Sequence, residues 1–117
     1  MISAIHTALS GLTAFAKQIE VVAHNVANVN TDGFKKSHTE FIEVADGGVL
    51  PVVQKDESAG PNVLKDLGHG PSIVELSNVD LGEETVQQML AQRSLEANLQ
   101  SLKTADAMLG SILDIKK

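Results

Sequence analysis

The sequence predicts a mainly α chain in which two long terminal helices flank a short, irregular β-hairpin insertion. Three observations carry this. Apolar residues recur at helical spacing through residues 3–28 and again from about residue 80 to residue 115. The stretch between them gathers all three prolines, six of the nine glycines and short β-branched runs. The apolar fraction of 43% comes mainly from Ala, Val, Leu and Ile, with Phe15, Phe34 and Phe41 as the only Phe, Trp or Tyr, a composition suited to interdigitating helices. At 117 residues the chain is one domain's worth, 1–117. It divides into an N-terminal helix with its turn (1–36), a β-rich insertion (37–80) and a C-terminal helix (81–117).

The first helix is expected over Ser3–Asn28. Ile5, Ala8, Leu9, Leu12, Phe15, Ala16, Ile19, Val22, Ala23 and Val26 fall at positions a, d and e of successive heptads. At 1.5 Å per residue such a helix is roughly 39 Å long. Its other face carries Thr7, Ser10, Thr13 and Val21, and Lys17 and Glu20 are its only full charges. A helix with one solvated side normally shows more charge than this. Two readings stand: an amphipathic helix on a single partner, or one buried on several sides inside an assembly.

The helix stops at "AHNVANVNTDGFKK", residues 23–36. Asn28 is suited to a left-handed C-cap, and Gly33 supplies a positive φ after Thr31-Asp32. Phe34 can pack back on the helices and fix the chain's exit. These residues shape backbone; none of them forms a set of facing acids, bases or nucleophiles.

In the insertion, "FIEVADGGVLPVV" reads as a strand, an Asp46-Gly47-Gly48 turn and a second strand broken by Pro51. "ESAGPN" and "GHGPS" are turn clusters, and "SIVELSN" is a further short strand. The second long helix runs from Asp80 to Ile115. Asp80 caps it with Glu83 three residues on, an Asp form of the capping box. Glu83 and Glu84 suit the dipole at its start, as Lys116 and Lys117 do at its end. Leu95, Leu99, Leu102, Ala105, Leu109, Ile112 and Leu113 form one stripe, while Val86, Met89, Leu90 and Ala97 lie on roughly the opposite side. One partner helix cannot cover both. Gly82 and Gly110 weaken the helix near its ends by about 1 kcal/mol each relative to Ala.

Charge and composition exclude several function classes. The net charge is −6. Residues 37–80 set Lys55 and Lys65 against eight acids, and both ends are nearly neutral. That middle repels polyanions, so nucleic acid is not an expected partner. No cysteine is present, so neither a disulfide nor a thiolate metal site is available. His6, His24, His38 and His69 are too scattered for a metal motif, and His6 and His24 fit the polar face of the first helix. The Glu83–Glu84 pair is explained by capping. "DGG" and "GHGP" lack the strand and helix that a phosphate loop needs. No catalytic, metal or cofactor-binding residue is assigned, and no small-molecule substrate is expected. No apolar run approaches the ~18 residues of a membrane span, and the start lacks the basic region of a cleaved signal.

Two segments resemble a known family. "ALSGLTAFAKQIEVVAHNVANVNTDGFKK" (8–36) is similar to the N-terminal segment of the bacterial flagellar axial proteins of rod and hook, through Ala27-Asn28, Thr31, Gly33, Phe34 and Lys35. "SNVDLGEETVQQMLAQRSLEANLQSLKTADAML" (77–109) resembles their C-terminal segment, through Asn78-Val79-Asp80, Glu84, Gln92-Arg93, Ala97-Asn98, Thr104, Asp106 and Met108-Leu109. Leu95 stands where many members carry an aromatic residue.

The resemblance implies an antiparallel coiled coil of the terminal helices lining a helical tube, with the insertion facing outward. It implies a structural subunit of the basal-body rod in the periplasm, nearest in size to the proximal rod proteins. Such a subunit is exported by the flagellar type III apparatus without a cleaved signal. Its partners are other axial subunits and further copies of itself. The helix stripes place Leu12, Phe15, Ile19 and Val22 against Leu95, Leu99, Leu102 and Leu109. Asn28, Thr31, Gly33 and Phe34 form the joint between helices and insertion. The alternative is a soluble helical adaptor or chaperone-like oligomer that buries the same stripes in a closed bundle.

Overall fold

The computed structural model describes residues 2–45, 47–66 and 68–115. Its elements are α1 (Ile2–Ala27), β1 (Ser37–Glu43), β2 (Val49–Lys55), β3 (Asn62–Asp66), β4 (Pro71–Glu75) and α2 (Leu81–Ile115). The molecule is a rod, 81 × 24 × 18 Å.

The helices run antiparallel, and three contacts fix their order: Gly11 lies against the Asn98 carboxamide, Gln18 bonds Gln87, and Asn25 bonds Glu84. The 35 residues of α2 outrun the 26 of α1. Continued at this register, Leu109 lies level with the start of α1, and Ile112, Leu113 and Ile115 extend past it, 51%, 69% and 84% exposed. Helix α2 runs unbroken through Gly110. At its start the Asp80 carboxylate accepts from Gly82 N–H (2.8 Å) and Glu83 N–H (3.1 Å), the expected N-cap. The reciprocal arm of the capping box is absent, because the Glu83 carboxylate accepts from Lys36 Nζ instead, at 2.7 Å. The dipole role expected of Lys116 and Lys117 lies outside the described residues.

The insertion is two hairpins rather than one. Strands β1 and β2 pair antiparallel with Phe41 opposite Pro51, and β3 and β4 pair with Leu64 opposite Ile73. Pro51 does not break β2. Val44 N–H bonds the Gly48 carbonyl and Asp56 N–H bonds the Lys36 carbonyl, so hydrogen-bonded pairs alternate from these ends. The Phe41–Pro51 pair falls at a non-hydrogen-bonded position, where a missing N–H costs no ladder bond. Gly47 and Gly48 hold the turn with φ of 75° and 157°; the Asp46 expected beside them lies outside the described residues.

The β1–β2 hairpin folds back along α1. Phe41 meets Phe15 edge-on at 5.2 Å, the Val49 N–H donates to Ser10 Oγ at 3.2 Å, and Thr7 Oγ1 donates to the Gly47 carbonyl at 3.0 Å. Helix α1 is therefore covered on two sides within its own chain, by α2 and by this hairpin. That explains why its polar face carries hydroxyls and few charges. The β3–β4 hairpin packs on neither helix and projects from the end of the rod where the chain turns.

The core is thin. Its buried apolar side chains are Ala8, Ala14, Val21, Val22 and Ala91, and every described leucine keeps some exposure. Among the described residues, the one large side chain below 2% exposure is a polar one, Asn25.

Candidate assembly joint

The end of α1, the starts of β1 and α2, and the base of β3–β4 meet in one polar knot. Asn25 sits at its centre, 1% exposed. Its Nδ2 donates to the Ser37 carbonyl (2.7 Å) and to Glu84 Oε1 (3.1 Å), and its Oδ1 accepts from the Ser37 N–H (2.9 Å). All the groups of that carboxamide are thereby engaged, as burial requires. Asn78 does comparable work nearby. Its Oδ1 accepts from the Lys36 N–H at 2.7 Å, and its Nδ2 donates to the Asp56 carbonyl at 3.0 Å. Asn25 thus ties the start of the β1–β2 hairpin to α1, and Asn78 ties its two ends to the segment that leads into α2.

A second pair of ties holds the projecting hairpin. The Gly33 N–H donates to the Glu75 carbonyl at 2.8 Å, and the Glu75 carboxylate accepts from Lys35 Nζ and from the Gly60 N–H. The Lys35 bond, then the Gly60 bond, hold the Glu75 carboxyl below the usual range. At the rim, Lys65 Nζ donates to both Asp32 carboxylate oxygens, at 2.6 and 2.7 Å.

Glu84 is the anomaly of the knot. It is 5% exposed, and burial raises its pKa against the Asn25 bond and the Lys36 charge that lower it. Lys36 moves up as well, chiefly through its bond to Glu83. Both residues face a cleft of about 220 Å³ that Gln18, Val21, Val22 and Thr39 also line.

The expected joint residues are all here, with one correction. Asn28 is not left-handed: among the described residues every positive φ belongs to glycine. The helix ends instead in tight turns, Asn28 N–H to the Asn25 carbonyl and Val29 N–H to the Val26 carbonyl. The Asn28 side chain then donates to the His24 carbonyl at 2.9 Å, satisfying an end group that a left-handed cap would otherwise serve. Gly33 does have positive φ, 69°. Thr31 bonds Asn28 through its hydroxyl (3.2 Å), and Phe34 turns back onto His24 with ring centres 5.4 Å apart. His24 is thus an aromatic contact of the joint.

Beside the expected stripes, the helices also meet through small and polar residues. Gly11, Gln18 and Asn25 lie against Asn98, Gln87 and Glu84. Phe15 meets Phe41 on the β1–β2 side, and Val22 is buried beside the cleft. Leu12, Ile19, Leu95, Leu102 and Leu109 are half-buried, and Leu99 is 40% exposed. Leu109 lies too far along α2 to reach Leu12–Val22.

Comparison with known proteins bears on what this joint serves. Residues 5–35 match the model of the flagella basal body rod protein family. Residues 71–115 match that of the flagellar basal body rod FlgEFG protein C-terminal region. The basal-body rod protein FlgC of Borreliella burgdorferi is 32% identical, over 98% of this chain and 97% of its own length. The chain belongs to the flagellar basal-body rod protein family. It is a structural subunit of that axial class. The rod proteins FlgG of B. burgdorferi and of Bacillus subtilis are 34% and 31% identical over 68% and 62% of the chain, which spans 30% and 27% of their lengths. The two segments matched by the rod family models hold α1 with its turn and β4 with α2. They enclose β1–β2 and β3, which neither model covers.

Proposed function

We propose that this chain polymerises with copies of itself and with other axial subunits into the helical tube that joins basal body to hook. Its terminal helices form an antiparallel coiled coil facing the tube's interior. The observation carrying this reading is a seven-residue spacing on both helices. Gly11, Gln18 and Asn25 recur every seven residues on the α1 side of the seam; on α2, Glu84 and Asn98 touch Asn25 and Gly11, and buried Ala91 stands midway at the same spacing, with Gln87 bonding Gln18. That is the repeat of a left-handed coiled coil. End-to-end alignment with FlgC supports a place among the short rod proteins, toward the proximal end of the periplasmic rod.

In this reading Asn28, Thr31, Gly33 and Phe34 set the angle at which the insertion leaves the helices. Val22 is already buried within the chain, and Leu12, Phe15, Ile19, Leu95, Leu99, Leu102 and Leu109 complete their burial between neighbouring subunits. Export through the flagellar type III apparatus, without a cleaved signal, delivers the chain to the growing rod. The exposed patch of Leu81, Val86, Met89 and Leu90 supports polymerisation over a closed bundle: it lies off the α1 seam, and open heterologous contacts need such surface.

Deletion of the gene followed by imaging of purified basal bodies tests the reading. The expected result is a rod that is missing or truncated, with motility lost. Intact rods at wild-type number overturn it.

A further inference from the structure

The cleft at the joint holds a titratable group that assembly by itself does not require. Glu84 stands at the first turn of α2 with its side chain turned inward among Val21 and Val22 of α1 and Thr39 of β1. The Thr39 hydroxyl is buried and has no hydrogen-bond partner among the described residues. Glu84 is joined to β1 through one residue: Asn25 donates one Nδ2 hydrogen to Glu84 Oε1 and the other to the Ser37 carbonyl. The nearest cation, Lys36, is already committed to Glu83 at 2.7 Å.

We propose that Glu84 is an acid-tightened latch: its neutral carboxyl holds α2, α1 and the start of β1 together, and its ionisation loosens the anchorage of the β1–β2 hairpin. The charged groups around it set the sign. On α2, Glu83 and the capping Asp80 are both acids that oppose a second negative charge. Ahead of β1, Lys36 favours the ionised form but is held by Glu83. On β1, His38 at the cleft wall pairs with Glu40 at 3.6 Å. Helix α1 contributes Gln18, Val21, Val22 and Asn25, none of them titratable. The Asn25 bond favours the carboxylate, and burial outweighs it.

A carboxyl raised above its ordinary value of 4.5 gives stability that is fully present below that value and lost as pH rises through the folded one. Ionised Glu84 gains by moving toward water. In doing so it releases one hydrogen of Asn25 and frees the pair that Asn25 makes with Ser37.

The test uses the full chain and two measurements. Carbon-detected NMR of the wild-type Glu84 carboxyl is expected to give a midpoint above 4.5. Amide exchange of the Ser37–Glu43 strand, corrected for intrinsic chemistry, is expected to accelerate several-fold between about pH 5 and about pH 7.5. Glu84→Gln, which keeps a neutral side chain of the same shape, should show no such acceleration, while Glu83→Gln should retain it. A Glu84 midpoint at or below 4.5, or an unchanged pH response in Glu84→Gln, overturns the latch.

Discussion

The carboxamide of Asn25 closes a two-bond ring with the backbone of Ser37, donating to its carbonyl at 2.7 Å and accepting from its N–H at 2.9 Å. An antiparallel strand neighbour offers the same pattern. Here a helix side chain supplies it, so the strand begins where the helix dictates. The joint is held by directional polar bonds because the thin core around it holds few large apolar groups.

Asn25→Ala should therefore cost more than a surface substitution. It leaves the Ser37 N–H and carbonyl without partners and removes a donor to buried Glu84, at about 1–3 kcal/mol for each buried group left unpaired. Asn25→Asp keeps the acceptor but sets a second carboxylate against Glu84, and should be the more damaging at neutral pH. Urea midpoints on the full chain measure both. An alanine variant within about 0.5 kcal/mol of wild type would contradict the role given to Asn25.

Two glycines of the joint make a contrasting pair. A Cβ on Gly60 would stand 2.1 Å from the Leu76 carbonyl oxygen, so backbone must move to admit it. A Cβ on Gly33 meets nothing within 4 Å, and only its φ of 69° resists substitution. Gly33→Asn should thus be mild, and Gly33→Val should carry about 1–3 kcal/mol of backbone strain. Gly60→Ala should exceed Gly33→Ala in loss of stability and release the base of β3–β4, read as lost amide protection at Leu76. Equal losses from the two alanine substitutions would show that the close approach at Gly60 is unimportant.

Much of the architecture was legible in the sequence. Helical spacing and the Asp80 cap place both helices to within a residue or two of their observed ends. Strand β3 was missed because Lys65 and Asp66 make "NVLKD" look solvated, and the strand borrows stability from β4 alone. The polar part of the seam was hidden for a different reason. Leucine stripes are the strongest apolar signal, and they mask the small or mutually hydrogen-bonded positions that also lie between the helices: Gly11, Ala91, Gln18 with Gln87. The hydroxyls of Thr7 and Ser10 suggested burial in an assembly, and no sequence pattern ties them to a turn some forty residues away. Asn25 did leave a trace: an asparagine among Val21, Val22 and Val26 needs a partner if buried.

Acid should act on the joint through Glu75 in the sense opposite to Glu84. The bonds from Lys35 and Gly60 hold the Glu75 carboxyl below its ordinary 4.5. A depressed carboxyl contributes stability above its ordinary value, lost as pH falls through the folded one. Lys35→Met removes the larger cause, so its stability should fall less than wild type between about pH 5 and about pH 3. Thermal midpoints across that window provide the check, and parallel curves for the two proteins would remove Glu75 from the acid response.

The last prediction separates folding of the subunit from its polymerisation. Ala91 is 1% exposed on the seam, whereas Met89 and Val86, close by on α2, are 61% and 56% exposed on the far side. Ala91→Leu forces extra methylenes between the helices and should destabilise the isolated chain by about 1–3 kcal/mol. Met89→Asp and Val86→Asp place a carboxylate where the chain already meets water, so each should leave the urea midpoint within about 0.5 kcal/mol of wild type. In the proposed polymer the same carboxylates would face a neighbouring subunit, where burying an unpaired charge is costly. The aspartate variants should therefore be made and exported normally yet be depleted from purified basal bodies. Wild-type incorporation of both would mean that the outer patch of α2 is not a polymerisation surface, and the contacts between subunits would have to be sought on the hairpins.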